Sequence, residues 1–402
     1  DDISTGGTLT IGNTSAGKIT VDGVTIDEDL HLVTGADVDA ADAGLNLSLT
    51  GTTSTLTIDA DDGVGDTATF ALGVAADTIS VSNTNTGDID LTVTGDVTVA
   101  LLSNTVSGGD VNVSASGSIT IDGAGTGTAV TVTGAGGLSL SATGTGTMSD
   151  VVIADDIQAG TGTTTITAND EVSMGASAAI TTNGDVVLNA GADATAGDTD
   201  GISMASGATI NAGSGTIRLD TNNGTTTGNI SLGGLTTTNA SATSVVLDTD
   251  GAVVDNNGGL TNVDSAGRLV ITAGTGVGTV ADPLEVTVAS IDISNTGDGE
   301  IGISDTGTLS IIQATTGDAD IDIVTDGAIS IDGTGTSVET TMTGTIDLEG
   351  VGITVTEGNT VSAGGDITLN AGTGILTLDD TMSDRSVVTT TGGISITADD
   401  VV

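Results

Sequence analysis

A glycine, often followed by aspartate and then by an apolar–polar–apolar triplet, recurs along this chain at a nearly constant interval. Gly184–Gly191 reads GDVVLNAG and Gly365–Gly372 reads GDITLNAG. Looser copies begin at Gly87 (GDIDLTV), Gly95 (GDVTV), Gly109 (GDVNV), Gly117 (GSITI), Gly228 (GNISL) and Gly344 (GTIDL). Matching glycines lie 22 residues apart at Gly87 and Gly109, and again at Gly95 and Gly117. The interval is 21 from Gly207 to Gly228, 23 from Gly228 to Gly251, 20 from Gly307 to Gly327 and 21 from Gly344 to Gly365. A fixed period of roughly 20 residues is the range of stacked-coil folds, where one repeat cannot bury its apolar face alone.

Each period contains short apolar runs. After Gly109 they are Val111–Val113, Ile119–Ile121 and Val130–Val132, and Ile89–Leu91 and Val97–Val99 precede the first two by 22 residues. The runs alternate with period two, so Ile367 and Leu369 are expected to face inward and Thr368 outward. The same split is expected at Ile119, Thr120, Ile121 and at Ile329, Ser330, Ile331. No stretch repeats apolar residues at helical spacing, so little or no helix is expected. Hairpin meanders would need two-residue turns. A constant coil instead sets each strand beside its copy one coil later, in parallel. The fold class is therefore all-β: a parallel β-helix, or β-solenoid, of ~20–23 residues per coil, with about 19 coils in the chain and right-handed connections.

Composition agrees. There are 63 glycines, one proline (Pro283), one Phe (Phe70) and no Trp or Tyr, yet mean hydropathy is +0.27. A core without rings must be narrow and regular, so that Val, Ile and Leu fill it alone. Gly and Asn suit corners that need positive φ, and Pro283 stands at a strand start, where a missing donor is tolerated. Residues 1–402 are read as one continuous solenoid with no distinct capping segment, a segment of a longer or end-to-end stacked fibre. Irregular loops are expected near 141–165, 190–200 and 255–266.

The charge is extreme: 54 acids against four bases, net −50. The bases are Lys18, Arg218, Arg268 and Arg385; all but seven of the acids are Asp, a turn residue. Phosphate binding needs clustered Lys and Arg, so nucleic acid is excluded, and so are anionic membrane surfaces. Cations, neutral glycans, proteins and self remain as partners. The acids are expected to act as corner residues and to keep open sheet edges apart. There is no cysteine, hence no disulfide and no thiolate metal site. No run of 18 apolar residues exists to span a membrane as a helix. The chain starts at Asp1 without a basic-then-apolar leader and reads as mature or as a fragment.

Calcium is the one cofactor candidate, and none is required by the fold. Asp-rich turns occur at Asp59, Asp61, Asp62 and Asp66; at Asp193, Asp198 and Asp200; at Asp248, Asp250 and Asp255; and at Asp318, Asp320 and Asp322. Calcium takes six to eight oxygens, which carboxylates and turn carbonyls supply. DADDG at Asp59–Gly63 opens like an EF-hand loop, but its twelfth position is Phe70 where a Glu is required. The bland alternative is that Asp is a common corner residue with loosely condensed cations. His31, the only histidine, sits in an alternating strand and reads as a surface residue. A polysaccharide-cleaving enzyme would need acids and a base meeting in one groove, whereas the bases are scattered. Thr-x-Thr pairs (Thr8–Thr10, Thr92–Thr94, Thr131–Thr133) do not recur once per coil, which argues against ice binding. Asn-x-Ser/Thr sequons are present, for example at Asn46, Asn112 and Asn229, and arise by chance in so Ser- and Thr-rich a chain.

The runs GDITLNAG, GDVVLNAG and GSITIDG resemble the repeats of filamentous-haemagglutinin-type adhesins and other large bacterial surface proteins. The resemblance covers most of the chain. It implies a right-handed parallel β-helix that projects from a cell as a fibre or adhesin stalk, and it carries over no catalytic residue. The chain departs from that family in its acidity and in lacking the family's N-terminal secretion segment. The expectation is an extracellular, cell-surface structural rod, adhesin stalk or self-assembling filament without catalysis. Its expected partners are other copies of itself, and host or neighbouring-cell proteins or glycans. The alternative is a calcium-binding module stiffened at its Asp-rich loops; a polysaccharide-active enzyme ranks third.

Overall fold

A computed structural model of the chain describes residues 7–66, 69–123, 125, 127–144, 149–191, 201–222, 228–379 and 386–402. Strands are the only regular elements among the described residues, and none of these residues forms a helix long and apolar enough to cross a membrane. The strand pairings whose register is resolved are parallel. The fold is an all-β parallel β-solenoid of about 16 turns among these residues, about 23 residues each.

The chain divides into two compact units. One comprises Asp1–Gly201, Ala208–Gly213 and Asn223–Thr226; the other comprises Ile202–Gly207, Ser214–Asn222 and Thr227–Val402. In the first, one ladder climbs through Leu9–Asn13, Leu30–Thr34, Thr55–Ala60 and Thr78–Asn83. Another runs through Ile89–Val93, Val111–Ala115, Leu138–Ala142, Thr164–Ala168 and Val186–Asn189. In the second unit, Ile301–Asp305, Ile321–Thr325, Ile346–Glu349, Ile367–Asn370 and Ile394–Thr397 pair in order.

The alternation expected from the sequence holds. Ile367 and Leu369 are fully buried and Thr368 is half-buried on the outer side. Ile119 and Ile121, and Ile329 and Ile331, are buried around half-buried Thr120 and Ser330. Stacking gives aliphatic columns such as Ile301, Ile321, Ile346 and Ile367. Each side chain so buried is worth ~1.5–3 kcal/mol relative to exposure. The columns need no rings, because parallel coils repeat one side-chain shape at one spacing.

The coils are fewer than the 19 expected because several are enlarged. The step from Asp110 to Gly137 is 27 residues and the step from Ser118 to Asp150 is 32. The described part of 141–165 lies on these larger coils and contains the strands Val151–Ile153 and Asp156–Gln158, while 145–148 lie outside the described residues. In 255–266, Asp255 ends the strand Ala252–Asp255, residues 256–262 form a loop and the remainder begins the strand Val263–Ala273. Most of 190–200 lies outside the described residues.

At most of the repeating corners the glycine is a steric requirement; at Gly95 and Gly307, where an added Cβ would meet nothing within 4 Å, it supplies a positive φ. A Cβ on Gly109 would lie 2.5 Å from the carbonyl oxygen of Gly87, and Cβ atoms on Gly136, Gly162 and Gly184 would each strike the carbonyl of the glycine one coil earlier. The backbone of one corner thus rests directly on the next. Any side chain there would pry the coils apart.

Candidate functional site

The aspartate of the Gly–Asp pair has a defined partner one coil away. Asp88 Oδ1 accepts the backbone N–H of Asp110 at 2.8 Å, and Asp110 Oδ1 accepts that of Gly137 at 2.8 Å. Asp96 takes the N–H of Ser118 at 2.9 Å. In the second unit, Asp298 takes the N–H of Asp318 at 3.0 Å, Asp318 that of Thr343 at 2.6 Å, and Asp366 that of Gly393 at 2.7 Å. At a corner the ladder breaks and leaves an N–H without a strand partner. A carboxylate on the preceding coil satisfies it with a charge-assisted bond. Asp318, which also accepts the Thr343 hydroxyl, is held below the usual carboxylate range by these donors.

Of the sequence-predicted acids, Asp318 and Asp320 play this part, and the others are engaged mainly by side chains. Asp59 accepts the Ser82 hydroxyl at 2.7 Å and meets His31 Nε2 at 2.7 Å. Asp61 accepts from Thr84 at 2.7 Å, Asp62 from Asn85 at 2.9 Å and Thr86 at 3.0 Å, and Asp66 from Thr69 at 3.0 Å. Asp248 lies 3.4 Å from both the Arg218 guanidinium and Asn222 Nδ2, and the carbonyl of Asp250 lies beneath the Gly274 corner. Asp255 is buried and organises its own loop, accepting from the N–H groups of Asn257 and Gly258 and from Asn262 Nδ2. Asp320 binds the N–H and hydroxyl of Thr345, both at 2.8 Å. Asp322 stacks on Asp347 of the next coil. Asp193, Asp198 and Asp200 lie outside the described residues.

Two of these acids contribute to a concentration of negative charge that sequence order does not reveal. Asp62 and Asp66 join Asp37, Asp39, Asp88 and Asp90 around a cavity of about 210 Å³. The acids come from three successive coils, with Gly63, Gly65 and Gly87 as bare backbone between them. Asp90 is 1% exposed and accepts Asn112 Nδ2 at 2.7 Å. The Lys18 ammonium lies 3.7 Å from Asp37 and in contact with Asp39, whose hydrogen bond and charge raise the lysine pKa. Among the described residues, no three Asp, Glu or His side chains are placed to hold a metal ion together.

The described basic groups are dispersed, each facing an acid. His31 and Lys18 meet acids of the following coil, Arg268 lies 3.5 Å from Asp292, and Arg218 spans Asp220 at 2.6 Å and Asp248. Elsewhere acids face acids. Burial raises the pKa of Asp322, and Asp347 and Glu349 raise it further; burial and Glu349 do the same to Asp347. Asp305 and Glu171 are raised mainly by burial, as is Glu285, where Asp255 adds to the effect.

No family model matches the chain, and no curated protein or solved structure matches it either. The class the fold defines is that of parallel β-solenoid repeat proteins.

Proposed function

We propose that the chain is the scaffold of an extracellular surface fibre: a structural rod serving as adhesin stalk or self-assembling filament. The observation that supports this best is the closed economy of each coil. Its aliphatic side chains, corner glycine and corner aspartate all find partners on the adjacent coils. A stack of that kind gains length by adding coils, with stability approximately a sum over neighbours. The Gly–Ile–x–Leu repeats fit the adhesin stalk reading. Sedimentation velocity tests the reading. A frictional ratio well above that of a sphere is expected, with concentration-dependent growth if copies stack. A compact monomer overturns it.

The cavity walled by six aspartates favours a second reading, in which cations stiffen the coils. Its carboxylates are spread over three coils, so the occupancy expected is diffuse. Melting with 5 mM CaCl₂ against excess chelator is the test. A higher melting temperature with calcium, equalled by magnesium at the same ionic strength, is the expected result; no shift removes the reading.

A further inference from the structure

The first unit contains a second cavity, of about 360 Å³, and among the described residues the nine that line it are all uncharged. In a chain with 54 acids that is a marked exception. Phe70, the only aromatic ring other than His31, forms one wall and is 41% exposed; Leu45, 49% exposed, forms another. The hydroxyls of Thr69, Thr92 and Thr94 complete the rim. The recess exists because Gly44 and Gly73 meet beneath it: a Cβ on Gly73 would collide with the Gly44 carbonyl.

The walls are held in place. Phe70 O accepts the Asp66 N–H at 3.0 Å, and Thr69 bonds back to Asp66 through both its N–H and its hydroxyl. Leu72, two residues on, is fully buried and pairs with Leu91. Asn46 ties the opposite loop to Gly73, accepting its N–H at 2.9 Å and donating to Asp42 O at 3.1 Å. Thr92 and Thr94 are exposed on the next coil, and their hydroxyls make no hydrogen bond to any described residue.

We propose that this groove binds a neutral glycan, with the Phe70 ring against the apolar face of a sugar ring and the three threonine hydroxyls paired to the sugar's hydroxyl rim. Three considerations select that class. A net charge of −50 repels anionic ligands. A cation would lose hydration in this groove without gaining a counter-charge, while the aspartate-walled cavity of the same unit offers six. A purely apolar ligand would leave the Thr92 and Thr94 hydroxyls unused, whereas a pyranose has one face for the ring and edges for the hydroxyls. The volume lies in the usual range for small-ligand sites, and the fixed walls lower the ordering cost of binding. The proposal adds a binding site to the scaffold and does not depend on the fibre reading.

The composition makes the test direct. With one Phe and no Tyr or Trp, the proton NMR signals of the Phe70 ring stand alone apart from the His31 imidazole. The full chain is titrated with cellohexaose, maltohexaose and the hexamer of N-acetylglucosamine. At least one is expected to shift the ring signals saturably and to receive saturation transfer from them. Phe70→Leu is expected to weaken that binding at least tenfold without changing the melting temperature, and Leu260→Ala, in the other unit, to leave binding unchanged. The proposal is overturned if none of the three sugars shifts the ring, or if Phe70→Leu binds as tightly as the parent chain. It is equally overturned if benzyl alcohol occupies the groove while the sugars do not, or if the ring signals move with protein concentration alone, which would mark a contact between copies. Sedimentation of the parent chain tests the fibre reading separately.

Discussion

Two cavities of the same unit, built on similar backbone, have opposite chemistry. Both are recesses left where corner glycines replace side chains: Gly63, Gly65 and Gly87 in one, Gly44 and Gly73 in the other. Six aspartates wall the first and no charged residue lines the second. The difference teaches that in a solenoid the corner sets the shape and the flanking side chains set the chemistry, largely independently. The coil must keep its glycine because backbone presses on backbone. The residues on either side are free to carry charge, hydroxyl or ring.

The largest expected effects strike the corner glycine beneath each cavity. Gly87→Ala drives a Cβ into the Asp62 carbonyl and places a side chain at φ +83°. Overpacking costs about 1–3 kcal/mol, and the left-handed conformation roughly 1–2 more. Gly73→Ala meets a closer obstruction, from the Gly44 carbonyl oxygen, than Gly87→Ala meets from that of Asp62, but without positive φ, so only the first cost applies. Urea unfolding should rank Gly87→Ala as the more damaging. Equal losses would show that obstruction alone governs the corner.

Next comes the acid that serves the corner. Asp88→Ala leaves the Asp110 N–H without its acceptor, for an expected loss of about 0.5–1.5 kcal/mol. Asp88→Asn retains an acceptor oxygen and should lose less. If the two variants are equally stable or both gain, the aspartate acts only through its charge.

Smaller, and opposite in sign, is the effect where acids are buried or crowd one another. Asp322, Asp347, Asp305, Glu171 and Glu285 have pKa values raised in the folded chain. Folding therefore favours their protonated forms. Their contribution to stability is complete below the unfolded carboxylate range, roughly pH 4, and is lost as pH rises through the raised values. The melting temperature should climb as pH falls from 8 towards 4.5, and high salt should narrow the difference. Asp322→Asn should stabilise by about 0.2–1 kcal/mol at pH 8, by relieving the charge opposite Asp347, and by less at pH 4. Asp318, shifted the other way, is one group against five and does not reverse the trend.

The smallest effect is expected at Phe70. Its ring is 41% exposed, so Phe70→Leu should change stability by no more than about 0.5 kcal/mol. A ring that matters for binding and not for folding completes the contrast with Gly87. A loss of 2 kcal/mol or more in urea unfolding would instead make Phe70 part of the fold.

The coil was legible because local pattern and global fold agree. The inward role of Ile367 and Leu369 follows from period-two alternation, and the corner role of Gly109 follows from its spacing to Gly87. The purpose of the aspartate was less legible. Read along the chain, Asp88 is a turn residue with a solubilising charge; its partner, the Asp110 N–H, is 22 residues away. The six-aspartate cavity gathers residues from 37 to 90, of which only Asp62 and Asp66 stood in a recognised cluster. The uncharged groove left one trace, a lone Phe in a polar turn. Its walls at Leu45 and Thr92 join it only when coils stack.

By itself the sequence determined the period, the in–out alternation and the need for glycine at the corner. These are properties of a strand and of a repeat, and each is written within one coil. Only the tertiary structure decided which carboxylate meets which N–H, where acids accumulate and where the surface is left uncharged. Those depend on the length of every intervening coil, and coils of 22, 27 and 32 residues bring different side chains into line.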